Sequence, residues 1–267
     1  MSPDRKKTAI VTGGSSGIGK STAELLARAG YTVYTVSRGE QTPVGKAHIR
    51  ADVSDPALAS AAVETVVRAE GGVDVLINCA GFGISGAAEF TRTEDSHRQM
   101  EVNLFGTDNM IRAVLPHMRA ASAGKIINIS SVAGCVPIPF QLWYSASKAA
   151  INSYTMALAN ELRPFGISVC AVMPGDTKTG FTDARKKETA GDDCYGGAIE
   201  RSVSRMEKDE RGGAPPESVA RVAVRLAGKK KVAPLYAVGL QYKLIVLLVR
   251  LLPPCVSNRL IGLIYAS

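Results

Sequence analysis

The stretch Val11–Ser21, VTGGSSGIGKS, decides how this chain is read. It follows the apolar, β-branched run KTAIVT (7–12) and opens a segment of helical character at 17–29. Glycine turns the backbone sharply and removes Cβ where another group must come close. A helix starting at that point offers unpaired N–H groups and the positive end of its dipole, which suits a phosphate or pyrophosphate. The pattern is T-G-x-x-x-G-x-G, with Thr12, Gly13, Gly17 and Gly19, and not G-x-G-x-x-G. Gly13, Ser15, Ser16, Gly17, Ile18 and Gly19 are the candidate contacts. The plain alternative is a strand–helix turn that happens to be rich in glycine.

Outward from this loop, short buried-type runs alternate with longer helical ones. The runs at 7–12, 31–37, 47–51, 73–79, 125–130 and 167–173 read as strands, and 232–239 as a further one. Their continuous apolar character suits a parallel sheet covered on both faces. Helices are predicted at 17–29, 55–70, 94–119 and 142–163. The second is capped by Ser54 or Asp55 with Pro56 in its first turn, and RPFGI (163–167) stops the fourth. Strict alternation implies an α/β fold, a doubly wound parallel sheet in a single domain spanning 1–267. Residues 176–212 break the rhythm. They are polar and glycine-punctuated with helical pieces at most, and following a strand's C-terminal end they read as a lid.

In such sheets ligands collect beyond the strand C-termini. The end of the second strand reads TVSRGE, so Ser37 and Arg38 stand where an acid would hold a ribose 2′-hydroxyl. An acid there repels a 2′-phosphate, whereas a guanidinium pairs with it. This points to NADP(H) over NAD(H), with Glu40 as a countervailing charge.

Near the centre lies WYSASKAA (143–150), with Tyr144 one helical turn ahead of Lys148 and Ser131 thirteen residues before Tyr144. Residues four apart share a helix face. An ammonium beside a phenol is expected to lower its pKa from ~10 toward neutrality, which corresponds to about 4 kcal/mol. Alone, the same spacing would describe a solvated helix face.

Together these pieces resemble the short-chain dehydrogenase/reductase family from residue 6 to about 180, in the family's order. The resemblance implies a Rossmann-like fold and makes Asp52 and Val53 the adenine contacts. NCAG (78–81) is similar to the family's N-A-G turn, which adds Asn78, Ala80 and Gly81 to the cofactor contacts, with Cys79 in a place commonly held by asparagine. PGDTKT (174–179) resembles the cofactor-closing P-G-x-x-x-T and adds Pro174, Gly175, Thr177 and Thr179. It also implies catalytic roles for Asn103, Ser131, Tyr144 and Lys148. The expected reaction is hydride transfer between NADP(H) and a carbonyl carbon, with Tyr144 as general acid or base. Ser131 orients the oxygen, Lys148 tunes Tyr144 and holds the nicotinamide ribose, and Asn103 positions a water that relays protons to Lys148. Pairing into a homodimer through the helices at 94–119 and 142–163 is implied as well.

The net charge of +8 resides in the tail, since eight basic residues and no acidic one follow Glu217. The excess therefore argues for a surface or anionic partner there and against a nucleic-acid face. The segment LQYKLIVLLVRLL (240–252) is too short and too charged to span a bilayer. Together with the rest of an apolar C-terminal helical extension (240–267), it could pack in the core, cover a lipophilic pocket, or touch a membrane or partner. GCVPIPFQLW (134–143) is expected to rim the site with Val136, Ile138, Phe140, Leu142 and Trp143. A lipophilic substrate follows, with hydroxysteroids first and 3-oxoacyl thioesters or other small carbonyls second. A non-catalytic nucleotide-binding or membrane-tethering scaffold is the rival of a different class. Five scattered cysteines without metal-ligand spacing read as free thiols, no metal is expected, and the N-terminus carries no signal-peptide pattern. The expectation is cytoplasmic, with surface membrane association open.

Overall fold

The first apolar run is a strand with no exposed residue, and that burial organises everything around it. Residues 5–40 and 44–266 are described in the computed structural model, so the domain ends drawn at 1 and 267 lie outside them. Strands β1 (Thr8–Thr12), β2 (Thr32–Ser37), β3 (Ala47–Arg50), β4 (Val75–Asn78), β6 (Gly124–Ile129), β7 (Ile167–Met173) and β9 (Leu235–Ala237) form a parallel sheet in the order β3-β2-β1-β4-β6-β7-β9. The order reverses between β1 and β4, so their C-terminal ends open a crevice.

Alternating residues feed two cores. Ile10, Leu76, Ile126 and Val169 point to one face, where α2 (Pro56–Glu70), α4 (Gly106–Ala120) and α5 (Leu142–Glu161) pack. Ala9, Val11, Ile77, Ile127 and Val172 point to the other, against α1 (Gly17–Arg28) and α8 (Pro216–Ala227). Local signals act as expected in α2. Asp55 accepts from Ala57 N (2.8 Å) and Leu58 N (3.1 Å), Pro56 starts the first turn, and Gly71 closes it at φ 74°.

Two expectations change in detail. The single helix read over 94–119 is α3 (Thr93–Met100), a π-helical stretch Glu101–Phe105 that carries Asn103, and α4. The segment 176–212 holds more structure than its polar composition suggests. It contains α6 (Phe181–Ala184), β8 (Lys186–Lys187) paired with β5 (Ile84–Ser85), and α7 (Ala198–Arg211). In α7, Ile199, Val203 and Met206 recur at helical spacing and bury a satellite core with Ala87, Phe90, Ile138, Phe140 and Tyr265. The tail forms α9 (Leu240–Leu251) and α10 (Pro254–Tyr265). Among the described residues no helix is long and apolar enough to cross a membrane.

Candidate active site

The glycine loop joins β1 to α1 at the crevice. Thr12 Oγ1 accepts from the backbone N–H of Cys79 and of Ala80, both at 3.1 Å, and so ties this loop to the turn after β4. Gly13 sits at φ 63°, and a Cβ on it would lie 2.9 Å from Ala80 N. A Cβ on Gly19 would lie 2.2 Å from Gly13 O, so the backbones touch only because side chains are missing. Ser16 stands at the N-cap of α1 without a side-chain capping bond, and the first turn holds no acid. Backbone N–H groups and an uncompensated dipole end fit a pyrophosphate.

A cavity of about 920 Å³ runs from this loop along the strand ends. Of the residues singled out in the sequence, Gly13, Ser15–Gly19, Ser37, Arg38, Asp52, Val53, Ala80, Gly81, Ser131, Tyr144, Lys148, Pro174, Gly175, Thr177 and Thr179 line it. Asn78 does not. As the last residue of β4 its side chain turns into the protein, where Nδ2 donates to Asn128 Oδ1 at 3.0 Å and it is 3% exposed. The Asn78 side chain thus ties β4 to β6. Asn103 is also withdrawn from the lining. Its Oδ1 accepts from Phe82 N, and its Nδ2 donates to Phe82 O and Ser147 Oγ (3.0, 3.0 and 3.1 Å), which clamps the turn after β4 to α5.

Tyr144 and Lys148 lie on the first two turns of α5, as their spacing requires. Lys148 is buried. Its Nζ donates to Ile129 O at 2.9 Å and stands 5.7 Å from the Tyr144 ring centroid. Burial pushes its ammonium down to about 8. The phenol moves opposite to the expected direction. Burial pushes it up to about 12; hydrogen bonding with Ser131 works against this, and the charge of Glu210 adds to it. The ammonium does not drive the phenol down, because Lys148 is turned toward the Ile129 carbonyl and desolvation outweighs charge attraction. In this state the phenol keeps its proton through neutral pH. Ser131 caps the short helical turn Val132–Gly134, with Oγ accepting from Ala133 N at 3.1 Å.

The rim proposed for 134–143 is only partly correct. Val136 and Ile138 line the cavity, whereas Phe140 packs edge-on against Tyr195 (5.7 Å between centroids) and Leu142 is exposed. Trp143 is not in the lining either. The apolar wall comes instead from Ile245, Leu248, Val249 and Leu252 near α9 and Leu260, Ile261 and Ile264 of α10. Tyr242 fastens this wall to the loop after β7. Its hydroxyl accepts from Asp176 N at 2.9 Å and donates to Asp176 Oδ2 at 2.7 Å. A Cβ on Gly175 would lie 2.0 Å from the Tyr242 ring, which explains why that position is glycine. Sequence reasoning missed Tyr242. Its signal was a lone hydroxyl-bearing ring at the start of an otherwise greasy run.

A strand–glycine loop–helix cradle beside a Ser, Tyr and Lys constellation defines a nicotinamide-dependent oxidoreductase. A sequence profile of the short chain dehydrogenase family matches residues 7–190, and the chain belongs to that family. It is 44% identical over 238 residues, 86% of this chain and 88% of the relative, to a 3-ketodihydrosphingosine reductase of Bacteroides thetaiotaomicron. Among solved structures, a short-chain dehydrogenase from Streptomyces avermitilis superposes with a TM-score of 0.80 at 30% identity, covering 91% of this chain and 92% of the other. ElxO with NADP bound gives 0.72 at 27%, covering 89% and 99%. The protein is therefore an oxidoreductase acting on the carbonyl–alcohol couple with a nicotinamide dinucleotide as cofactor.

Proposed function

We propose that this protein reduces the keto group of a long-chain lipid, a 2-amino-3-ketone of the 3-ketodihydrosphingosine type, with NADPH. The observation that carries the reading is the two-sided cavity, in which the polar cofactor cradle and Ser131, Tyr144 and Lys148 run into a wall of aliphatic residues from the tail. Each methylene of a linear chain laid on such a wall contributes about 0.8 kcal/mol. The relative at 44% identity supports a linear lipid over the hydroxysteroid placed first on sequence grounds.

NADPH, when bound, supplies hydride to the carbonyl carbon. Tyr144 gives its proton to the carbonyl oxygen, and the protonated form held by its burial is the one a general acid needs. Ser131 hydrogen-bonds the same oxygen and fixes its position. Lys148, anchored on Ile129 O, holds the nicotinamide ribose and returns a proton toward Tyr144. Asn103 acts as a positioning residue through the Phe82 turn and Ser147. Arg38, exposed at the end of β2 where the cavity begins, supports a 2′-phosphate and hence NADP(H) over NAD(H).

The outer side of the tail supports a peripheral membrane contact. Leu240, Leu244, Leu247 and Leu251 are 54–74% exposed, with Lys243 and Arg250 on the same helix. A contiguous apolar face of this kind, flanked by cations, suits an anionic lipid surface. Ile245, Leu248, Leu260 and Ile264 both line the cavity and stay exposed, so a lipid could pass from that surface to Tyr144. Pairing through the helical segments 94–119 and 142–163 into a homodimer is part of the proposal, with exposed Phe105 and Met156 there, and sedimentation measures it.

The test is initial-rate reduction of a long-chain 2-amino-3-ketone, a ketosteroid, retinal and a 3-oxoacyl thioester, each with NADPH and NADH. The long-chain amino ketone with NADPH should give the highest kcat/KM. Preference for the steroid or the thioester overturns the substrate, and preference for NADH overturns the reading of Arg38.

A further inference from the structure

The cavity wall contains a charged pair that the proposed chemistry leaves unused. Arg185, just after α6, is buried with its guanidinium against the Phe181 ring, 5.6 Å from Cζ to the centroid. It forms an ion pair with Glu210 of α7, whose other oxygen accepts from Thr182 Oγ1 at 2.7 Å. With its amide turned so that oxygen faces the guanidinium, Gln141 accepts from Arg185 as well, at 3.1 and 3.3 Å. Phe181 in turn lies against Tyr144, with centroids 5.5 Å apart. The pair therefore stands one ring away from the phenol.

Its two members are not equally placed. Glu210 lines the cavity, and 16% of its side chain is exposed; Arg185 lies behind, its side chain fully covered, with Nη1 lacking a hydrogen-bond partner among the described residues. We infer that Glu210, backed by Arg185 and Thr182, is the acceptor for the amino group next to the reacting ketone, so that this carboxylate selects amino ketones among long-chain ketones.

Three arguments support the assignment, which rests on the long-chain amino ketone reading above. A carboxylate offers about four acceptor positions, and the protein fills one on each oxygen, which leaves capacity for a donor arriving through the cavity. A buried ion pair is weak as a stabilising device, since apolar side chains of similar volume usually serve folding as well. Its presence in a wall otherwise suited to an alkyl chain fits a polar group on the ligand at that point. The other carboxylates in the lining are committed elsewhere. Asp52 accepts from Ser54 and from Arg98 (2.6 Å) at the adenine end, and Asp176 is held by Tyr242. In a 2-amino-3-ketone the nitrogen is on the carbon next to the carbonyl carbon, so a group near Tyr144 can reach it while the oxygen stays on Ser131 and Tyr144. The influence of Glu210 on the Tyr144 proton is in keeping with that proximity.

The test compares three ketones of equal chain length with NADPH: the free 2-amino-3-ketone, its N-acetyl derivative and the ketone without nitrogen. The wild type should prefer the free amine by at least tenfold in kcat/KM. Glu210→Gln keeps the shape and the Thr182 contact, and it should lower kcat/KM for the free amine about tenfold or more while the nitrogen-free ketone changes less than threefold. A purely structural role would lower all three alike, and that result overturns the assignment. Should Glu210→Gln fail to fold, the wild-type comparison decides alone, because equal use of the three ketones overturns the role of Glu210 and leaves the long-chain reading intact. Reduction of a ketosteroid with no turnover of any long-chain ketone overturns both.

Discussion

Replacing Lys148 by methionine isolates the electrostatics of the buried ammonium. Burial holds its pKa at about 8 against an ordinary 10.5, so the folded protein binds fewer protons than the unfolded chain between those values. Stability therefore rises with pH across that window, and the charged form costs about 3 kcal/mol at pH 7. Methionine fills the space without the charge but leaves the Ile129 carbonyl without its donor, a loss of about 1–3 kcal/mol. The variant is expected to equal or exceed the parent at pH 7 by about 0–2 kcal/mol. The pH dependence is the sharper readout. Between pH 7 and 9 the parent sheds about 1 kcal/mol of its penalty and the variant sheds none, so their difference closes by that amount. Urea unfolding of both proteins at pH 7, 8 and 9 measures it, and other titrating groups cancel in the difference. A gap that stays constant with pH, or widens in favour of methionine, refutes a desolvated ammonium at this position.

Tyr144→Phe should leave NADPH binding, followed by nucleotide fluorescence, within threefold of the parent and lower kcat by at least ~10³-fold, since it removes the proton donor; substantial turnover would exclude Tyr144 as the acid. Arg38→Ala should raise KM for NADPH by about 10–100-fold, the equivalent of a charge-assisted hydrogen bond, while KM for NADH changes little. Gly175→Ala places a methyl 2.0 Å from the Tyr242 ring, and overpacking of this kind costs about 1–3 kcal/mol. Thermal unfolding should then shift down by about 2–4 °C per kcal/mol, and the shift should shrink in Gly175→Ala/Tyr242→Ala, where the ring is gone. Leu247→Glu/Leu251→Glu should abolish flotation with anionic vesicles while sparing reduction of a short-chain ketone in solution.

What could be read from the sequence was whatever the backbone dictates locally. The glycine spacing at 13, 17 and 19 works because neighbouring backbone occupies the Cβ positions at 13 and 19 and Gly17 sits at φ 50°, and such constraints survive in one dimension. The strands were legible because a parallel sheet buried on both faces demands unbroken apolar runs. Tyr144 and Lys148 were legible because four residues fix a shared helix face. The orientation of a side chain at a strand end was not. Asn78 and Ala80 sit in one short motif, yet one turns to Asn128 and the other to the cavity. Nor was the balance between burial and charge at Tyr144, because desolvation depends on the whole packed shell and not on one neighbour. The identity of the apolar wall was hidden for a related reason. GCVPIPFQLW and the tail are equally greasy, and only tertiary packing decides that Phe140 meets Tyr195 while Leu248 and Ile264 meet the cavity.

Chemistry and selectivity thus come from different parts of the chain, and a single phenol couples them. The residues of the proposed reaction lie at the ends of β1, β4 and β6 and on α5. The substrate side is built after β7, from α6, α7, α9 and α10. Tyr242 belongs to the second set yet binds Asp176, within the loop after β7 that is proposed to hold the cofactor. A shift of α9 away from the cavity must break those two bonds, while Val132 N on Pro174 O and the Ala214 backbone on Asp176 O and Lys178 N still hold the Pro174–Thr179 loop. The proposed lipid, packed against Ile245 and Leu248, would touch the same helix that Tyr242 ties to this loop. The apolar wall and the turn proposed to bind the cofactor thus meet at one hydroxyl, which gives a physical reason for seating a water-excluding wall directly beside the proposed hydride-transfer site.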